Sequence, residues 1–158
     1  MQFVADWVSD DRRVLLNFAD SVLDVFAAFR QVSAAAAEAG GVLLGTVHGR
    51  SLLIAEATVP THRDRRSRLL FDRSPFGHRR IAARRWGSSA GTVRYLGEWH
   101  THPQGKPSPS GIDRHEWGML AKKRQDARPM LAVIVGRDSL YVELVPAVGH
   151  GDVLKPLR

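Results

Sequence analysis

A chain of 158 residues, 44% hydrophobic and 25% charged, has the size and apolar content of one globular domain spanning residues 1–158. It contains no cysteine, which excludes disulfides and thiolate catalysis and leaves any metal to histidine and carboxylate ligands. The net charge of +7 is local: between His62 and Trp86, nine arginines (Arg63, Arg65, Arg66, Arg68, Arg73, Arg79, Arg80, Arg84, Arg85) stand against two aspartates, Asp64 and Asp72, and carry the whole excess.

Such a segment can steer an acidic protein surface or nucleic acid toward the chain, and it reads equally well as a solvated arginine-rich face. No run of about eighteen apolar residues occurs, and Met1 to Arg13 lacks a signal-peptide core. A soluble, cytoplasmic protein with no membrane contact is expected.

Arg12 to Phe18 reads as a first strand. Asp20-Ser21 is a plausible cap for a helix running to about Ala37, in which Val22, Val25, Phe26, Phe29 and Val32 form an apolar stripe for the core. The alanines at 34–37 carry helix propensity into Glu38, and Gly40-Gly41 should stop the helix. Val42-Leu43-Leu44 begins a buried strand, His48-Gly49-Arg50 is a tight turn, and Leu52 to Val59 returns as the second strand of a hairpin. Beyond the arginine-rich loop, Leu69-Leu70-Phe71 is a short strand and Pro75 with Gly77 precedes a helix to about Trp86. A strand from Thr92 follows, then a loop and a helix from Gly111 to about Gln125. Met130–Val135 and Leu140–Val145 are strands joined by Gly136-Arg137-Asp138, and the tail from Gly149 shows little pattern. Two or three helices with a mostly antiparallel set of strands is a mixed α/β or α+β composition.

The chemistry concentrates in Trp99-His100-Thr101-His102-Pro103 and Ser110-Gly111-Ile112-Asp113. In an extended segment His100 and His102 share a face, because strand residues alternate sides. Pro103, Pro107 and Pro109 end the strand soon after His102. Ser110 opens a helix with Asp113 in its first turn, where the carboxylate can fold back toward the histidines. Two imidazoles and one carboxylate are the ligand set of a hydrolytic zinc site with a position left open for water. Each part has a plainer reading: a His-x-His pair is more often an exposed strand face, and Ser-x-x-Asp is also a helix cap. Their conjunction at this spacing favours the metal site. Glu98 shares strand parity with the histidines and competes for any acid/base role. His48, His78 and His115 lack the spacing of ligands and read as surface or helix-face residues. Trp99, on the opposite strand face, and Trp117 read as packing residues. By pattern alone Glu38 is a solvated residue at a helix end.

His100-Thr101-His102-Pro103 with Ser110-x-x-Asp113 resembles the signature of the JAMM (MPN+, JAB1/MPN/Mov34) metalloisopeptidases: His-[Ser/Thr]-His, seven residues, Ser-x-x-Asp. Glu38-Ala39-Gly40-Gly41-Val42-Leu43-Leu44-Gly45 is similar to the Glu-x-Gly-Gly-[aliphatic]-Leu-x-Gly opening of the family's prokaryotic branch. The resemblance brackets residues 38 to 113. It implies an α-β-α sandwich of the JAMM/MPN, cytidine-deaminase-like type, with Zn2+ held by His100, His102 and Asp113. It also implies Glu38 as general acid/base and Ser110 on the oxyanion, which leaves Glu98 as a partner that orients a ligand histidine. The compact length and the Gly97–Pro103 context resemble stand-alone bacterial members encoded beside ubiquitin-activating-like and conjugating-like proteins. Members in CBASS antiphage operons release a cGAS-like nucleotidyltransferase from its conjugates. Thr101 argues against the RadC-type branch, which carries His-Asn-His. The resemblance therefore implies a zinc-dependent isopeptidase or peptidase acting on a ubiquitin-like modifier or a conjugated protein. The alternatives are a catalytically silent MPN scaffold, against which the complete residue set speaks, and a nucleic-acid-binding module built on the arginine segment, a partner the resemblance does not favour.

Overall fold

The computed structural model describes residues 2–33, 35–60, 65–66, 71–72 and 75–158. In chain order the elements are β1 (Asp6–Val8), β2 (Leu15–Phe18), α1 (Asp20–Phe29), β3 (Gly40–His48), β4 (Ser51–Ala57), β5 (Arg65–Arg66) and β6 (Phe71–Asp72). They continue with α2 (Pro75–Ser88), β7 (Arg94–Thr101), α3 (Gly111–Lys123), β8 (Met130–Val135), β9 (Leu140–Val145), β10 (Asp152–Val153) and β11 (Lys155–Pro156). Nine strands form one sheet in the order β10-β9-β8-β7-β3-β4-β2-β1-β11, and β5 pairs with β6 apart from it. The β7–β8 and β2–β4 pairs are parallel, and the other neighbours in the large sheet are antiparallel.

β8 shows how the sheet divides the core. All six of its residues are buried, as expected of a strand covered on both faces. Leu131, Val133 and Val135 pack with Phe18, Phe26 and Trp99 on the α1 side, whereas Met130, Ala132 and Ile134 pack with Trp117 and Ala121 of α3 on the other. Helix α1 buries Val22, Leu23 and Phe26, the last tilted against Trp99 at 5.4 Å. The mixed sheet with helices on both faces agrees with the mixed α/β composition read from the residues and with the sandwich the family resemblance implies, and Trp99 and Trp117, 1% and 3% exposed, pack as expected.

Several boundaries differ from the sequence reading. The first helix does not reach Ala37: it ends at Phe29, and Arg30 is extended. Gln31, 1% exposed, turns inward there, so tertiary hydrogen bonding outweighs the alanine run's helix propensity. Glu38 consequently sits in a non-helical connection, and Gly40-Gly41 opens β3 rather than closing a helix. Gly41 meets a packing demand, since a Cβ there would run into the Thr58 carbonyl oxygen and the Trp99 indole nitrogen. The N-cap of α1 is Ala19, with no side-chain cap, in place of Asp20-Ser21. The tail, read as patternless, contributes β10 and β11 at the two edges of the sheet, and β1 precedes the first strand anticipated. Helix α2 forms as expected, with Arg80, Arg84 and Arg85 exposed; Arg85 donates to Glu56 at 2.6 Å. Arg63, Arg68, Arg73 and the Leu69-Leu70 part of the anticipated strand lie outside the described residues, as do the side chains of Arg65, Arg66 and Arg79.

Candidate active site

β7 runs near the middle of the sheet between β3 and β8, with His100 near its end and His102 just beyond it. Gly40 pairs with His100 across the β3–β7 ladder, and the His102 amide donates to the Val135 carbonyl at 3.0 Å as β7 ends. His100 and His102 therefore project from one face at the mouth of the sheet. The loop 103–109 reverses the chain into α3. Ser110 caps that helix: its Oγ accepts from the Asp113 amide at 3.1 Å, while its own amide donates to Asp113 Oδ2 at 2.8 Å. This reciprocal capping box fixes both residues of the Ser-x-x-Asp motif relative to one another.

The result is a tight cluster. His100 Nε2 and His102 Nε2 are 3.1 Å apart, and each lies 3.2 Å from an oxygen of Asp113. Each imidazole nitrogen carries at most one proton, so the two cannot donate to each other and to Asp113 at once; a divalent cation replacing the shared protons removes the conflict. The separations also match the edge of about 3.3 Å expected of a tetrahedron whose ligands stand at about 2.0–2.1 Å from a zinc ion. The donor set therefore fits zinc. A looser grouping, Glu38 with His100 and His102, spans up to 4.8 Å. Asp113 thus belongs to the tighter set, at separations of a tetrahedral edge, and Glu38 stands beside it at a wider one.

The electrostatics support that division. Burial would raise the Asp113 carboxyl, but the hydrogen bonds and charge of His100 and His102, with the Ser110 amide, hold it far below the usual carboxylate range. His102 is displaced upward: burial opposes its charge, and the hydrogen bond and charge of Asp113 outweigh it. Glu38, 8% exposed, is pushed up to about 7, chiefly by burial; the nearby Asp113 and Glu116 add to this and His102 opposes it. A carboxyl that takes and gives a proton near neutrality is what general acid/base catalysis needs. Gln104 Oε1 lies 3.2 Å from His102 Nδ1, a partner able to hold the ring with Nε2 toward the cluster.

An open cleft of about 270 Å³ leads away from the cluster between β7 and α3, past Glu98, Glu116, Trp117, Met119 and Lys123. Glu98 is buried and accepts from the Tyr95 hydroxyl at 2.9 Å, so it lines the cleft without joining the donor cluster. His48, exposed, bonds Thr46, and His115 is exposed on α3. His78 departs from the surface reading: it is fully buried, with Nδ1 2.5 Å from Thr58 Oγ1, where it docks α2 onto the sheet. Sequence reasoning also missed the buried polar contacts behind the site, those of Thr101 and Gln31. Strand parity pointed Thr101 away from the histidines, but nothing local marked Gln31.

A two-histidine, one-carboxylate cluster at the end of a sheet strand, with a second carboxylate beside it, is a donor set compatible with a metal site. Residues 20–145 match the model of the prokaryotic homologs of the JAB domain, and the chain belongs to that family. It is 57% identical over its full length, and over the full length of its relative, to a "CD-NTase/cGAS isopeptidase" of Pseudomonas aeruginosa. A protein of the same name from Vibrio cholerae is 34% identical over 84% of this chain and 83% of its own length. The solution structure of protein DSY2949 from Desulfitobacterium hafniense superposes with a TM-score of 0.61 at 18% identity, covering 87% of this chain and 88% of the other, a likeness of fold. Among the described residues no helix is long and apolar enough to cross a membrane.

Proposed function

We propose that this chain is a cytoplasmic zinc isopeptidase of the JAMM type that frees a CD-NTase, a cGAS-like nucleotidyltransferase, from its conjugates. Ubiquitin-activating-like and conjugating-like enzymes would make those conjugates. The observation that carries the proposal is the convergence of His100, His102 and Asp113 within 3.1–3.2 Å of one another, with Glu38 beside them. The 57% identity to a protein bearing the isopeptidase name supplies the substrate class.

His100, His102 and Asp113 would hold the ion. Zinc bound there lowers the pKa of a water molecule to about 7, supplying a nucleophile at neutral pH. Glu38 takes the proton of the attacking water, whose oxygen bonds to the isopeptide carbonyl carbon, and returns that proton to the lysine nitrogen as the carbon–nitrogen bond breaks. The Ser110 hydroxyl accepts from the Asp113 amide and keeps its own proton to offer the carbonyl oxygen as that oxygen gains charge. A carboxylic acid and a free lysine amine leave. The cleft between β7 and α3 gives an extended chain access to these groups.

The test is a purified conjugate in which a CD-NTase is joined to a lysine by an isopeptide bond. The zinc-loaded protein is expected to release the free CD-NTase, and a chelator to stop release. A zinc-loaded, folded protein that leaves this conjugate and a linear peptide fusion of the same sequence intact would overturn the proposal.

A further inference from the structure

Glu38 has no regular secondary structure to hold it, because α1 has ended nine residues earlier and β3 begins only at Gly40. Its backbone is gripped from behind. Thr101, the residue between the two histidines, points to the opposite face of β7 and is fully buried. Its amide donates to the Ala39 carbonyl at 2.9 Å, and its Oγ1 accepts from the Ala39 amide at 2.9 Å. Both polar backbone groups of the residue next to Glu38 therefore end on Thr101. The Thr101 hydroxyl then donates to Gln31 Oε1 at 2.9 Å, and Gln31 Nε2 donates to the Ala36 carbonyl at 3.1 Å, two residues before Glu38. Gln31 is 1% exposed.

We infer that Thr101 and Gln31 are positioning residues that set Glu38 against the histidines, making one strand residue the common reference for the two histidines that flank it and for the backbone beside the proton carrier. The inference rests on Glu38 acting as the proton carrier proposed above. Its physical basis is the low-dielectric setting: inside the protein a satisfied polar chain is rigid, and removing one member leaves buried groups without partners. Threonine can fill the position because it supplies an acceptor for Ala39 and a donor for Gln31 through one oxygen. Valine has the same shape and supplies neither. Serine supplies both.

The experiment compares wild type, T101V, T101S and Q31M as zinc-loaded proteins on the CD-NTase conjugate, with zinc content measured on each. T101V is expected to keep about one zinc per chain, since His100 and His102 remain, and to keep KM within about twofold. Its kcat is expected to fall about tenfold or more, as small misplacements of a catalytic group cost. T101S is expected to restore kcat. Q31M, which tests the same chain without touching β7, is expected to lose kcat with the same unchanged KM, and the T101V/Q31M pair to lose less than the product of the single losses. In parallel, hydrogen exchange read at the Ala39 amide is expected to be slow in wild type and T101S and fast in T101V, an outcome independent of turnover. Wild-type kcat in both T101V and Q31M, or an Ala39 amide equally protected in T101V, would overturn the inference. An inactive wild type with the expected exchange pattern would instead count against the isopeptidase reading. Equal loss in T101V and T101S would refute the role assigned to the hydroxyl.

Discussion

Two carboxylates meet the histidine pair, and they arrive by opposite routes. Asp113 is delivered locally: prolines end the strand, Ser110 caps the helix, and the capping box holds the aspartate three residues on. Glu38 is delivered by contacts with residues distant in sequence, its neighbour Ala39 bonding Thr101 across 62 positions and Thr101 bonding Gln31 across 70. The chemistry follows the route. The locally fixed carboxylate is held ionised by the imidazoles, whereas the one held by tertiary contacts is buried enough to titrate near neutrality. In the roles proposed, Asp113 as a carboxylate ligand would keep its charge and Glu38 as a proton carrier would change it.

The largest effect that sharpens this contrast is expected at Glu38. E38Q should retain zinc and lose roughly 10²–10⁴-fold in turnover, the usual worth of a general acid/base, while E98Q remains active. Conjugate cleavage with parallel metal analysis checks this; an active E38Q beside an inactive E98Q would transfer the role to Glu98. S110A should follow, losing about 10²–10³-fold in kcat as an oxyanion donor and about 1 kcal/mol of stability as a helix cap. Because the two losses have separate readouts, a stability loss without a kcat loss would reduce Ser110 to a cap.

A smaller effect concerns the metal-free protein. Burial raises the Glu38 carboxyl from 4.5 to about 7, so the folded chain favours the protonated form. The stability tied to that form is fully present below about pH 4.5 and is lost as the pH rises through about 7. Glutamine has no charge to bury. Metal-free E38Q should therefore melt above metal-free wild type at pH 8 and close to it at pH 4. Equal melting temperatures at pH 8 would mean that Glu38 is solvated, which is its plain reading from pattern alone.

The same contrast explains what the sequence made legible. The edges of β8 and β9, the course of β7 and the start of α3 follow from proline punctuation, alternation and a capping motif, all of them local signals. The end of α1 does not, because the alanines after Ser33 favour a helix that the buried Gln31 side chain overrides. β1, β10 and β11 are two or three residues long and are held by ladder pairing, β1 with β2 and with the distant β11, β10 with β9, so no periodicity could mark them. His78 looked like a helix-face residue because its hydrogen-bond partner, Thr58, lies 20 residues away, just past the end of β4. The clustering of His100, His102 and Asp113 was readable from spacing, whereas Glu38 needed the family motif to stand out from a solvated helix end.

The central claim is that His100, His102 and Asp113 hold the metal and Glu38 does not. Zinc analysis of the folded wild type, H102A, D113A and E38Q tests it most directly. About one zinc per chain is predicted in wild type and E38Q, and none in H102A or D113A. Zinc retained by D113A but lost from E38Q would contradict the account, reversing the roles of the two carboxylates.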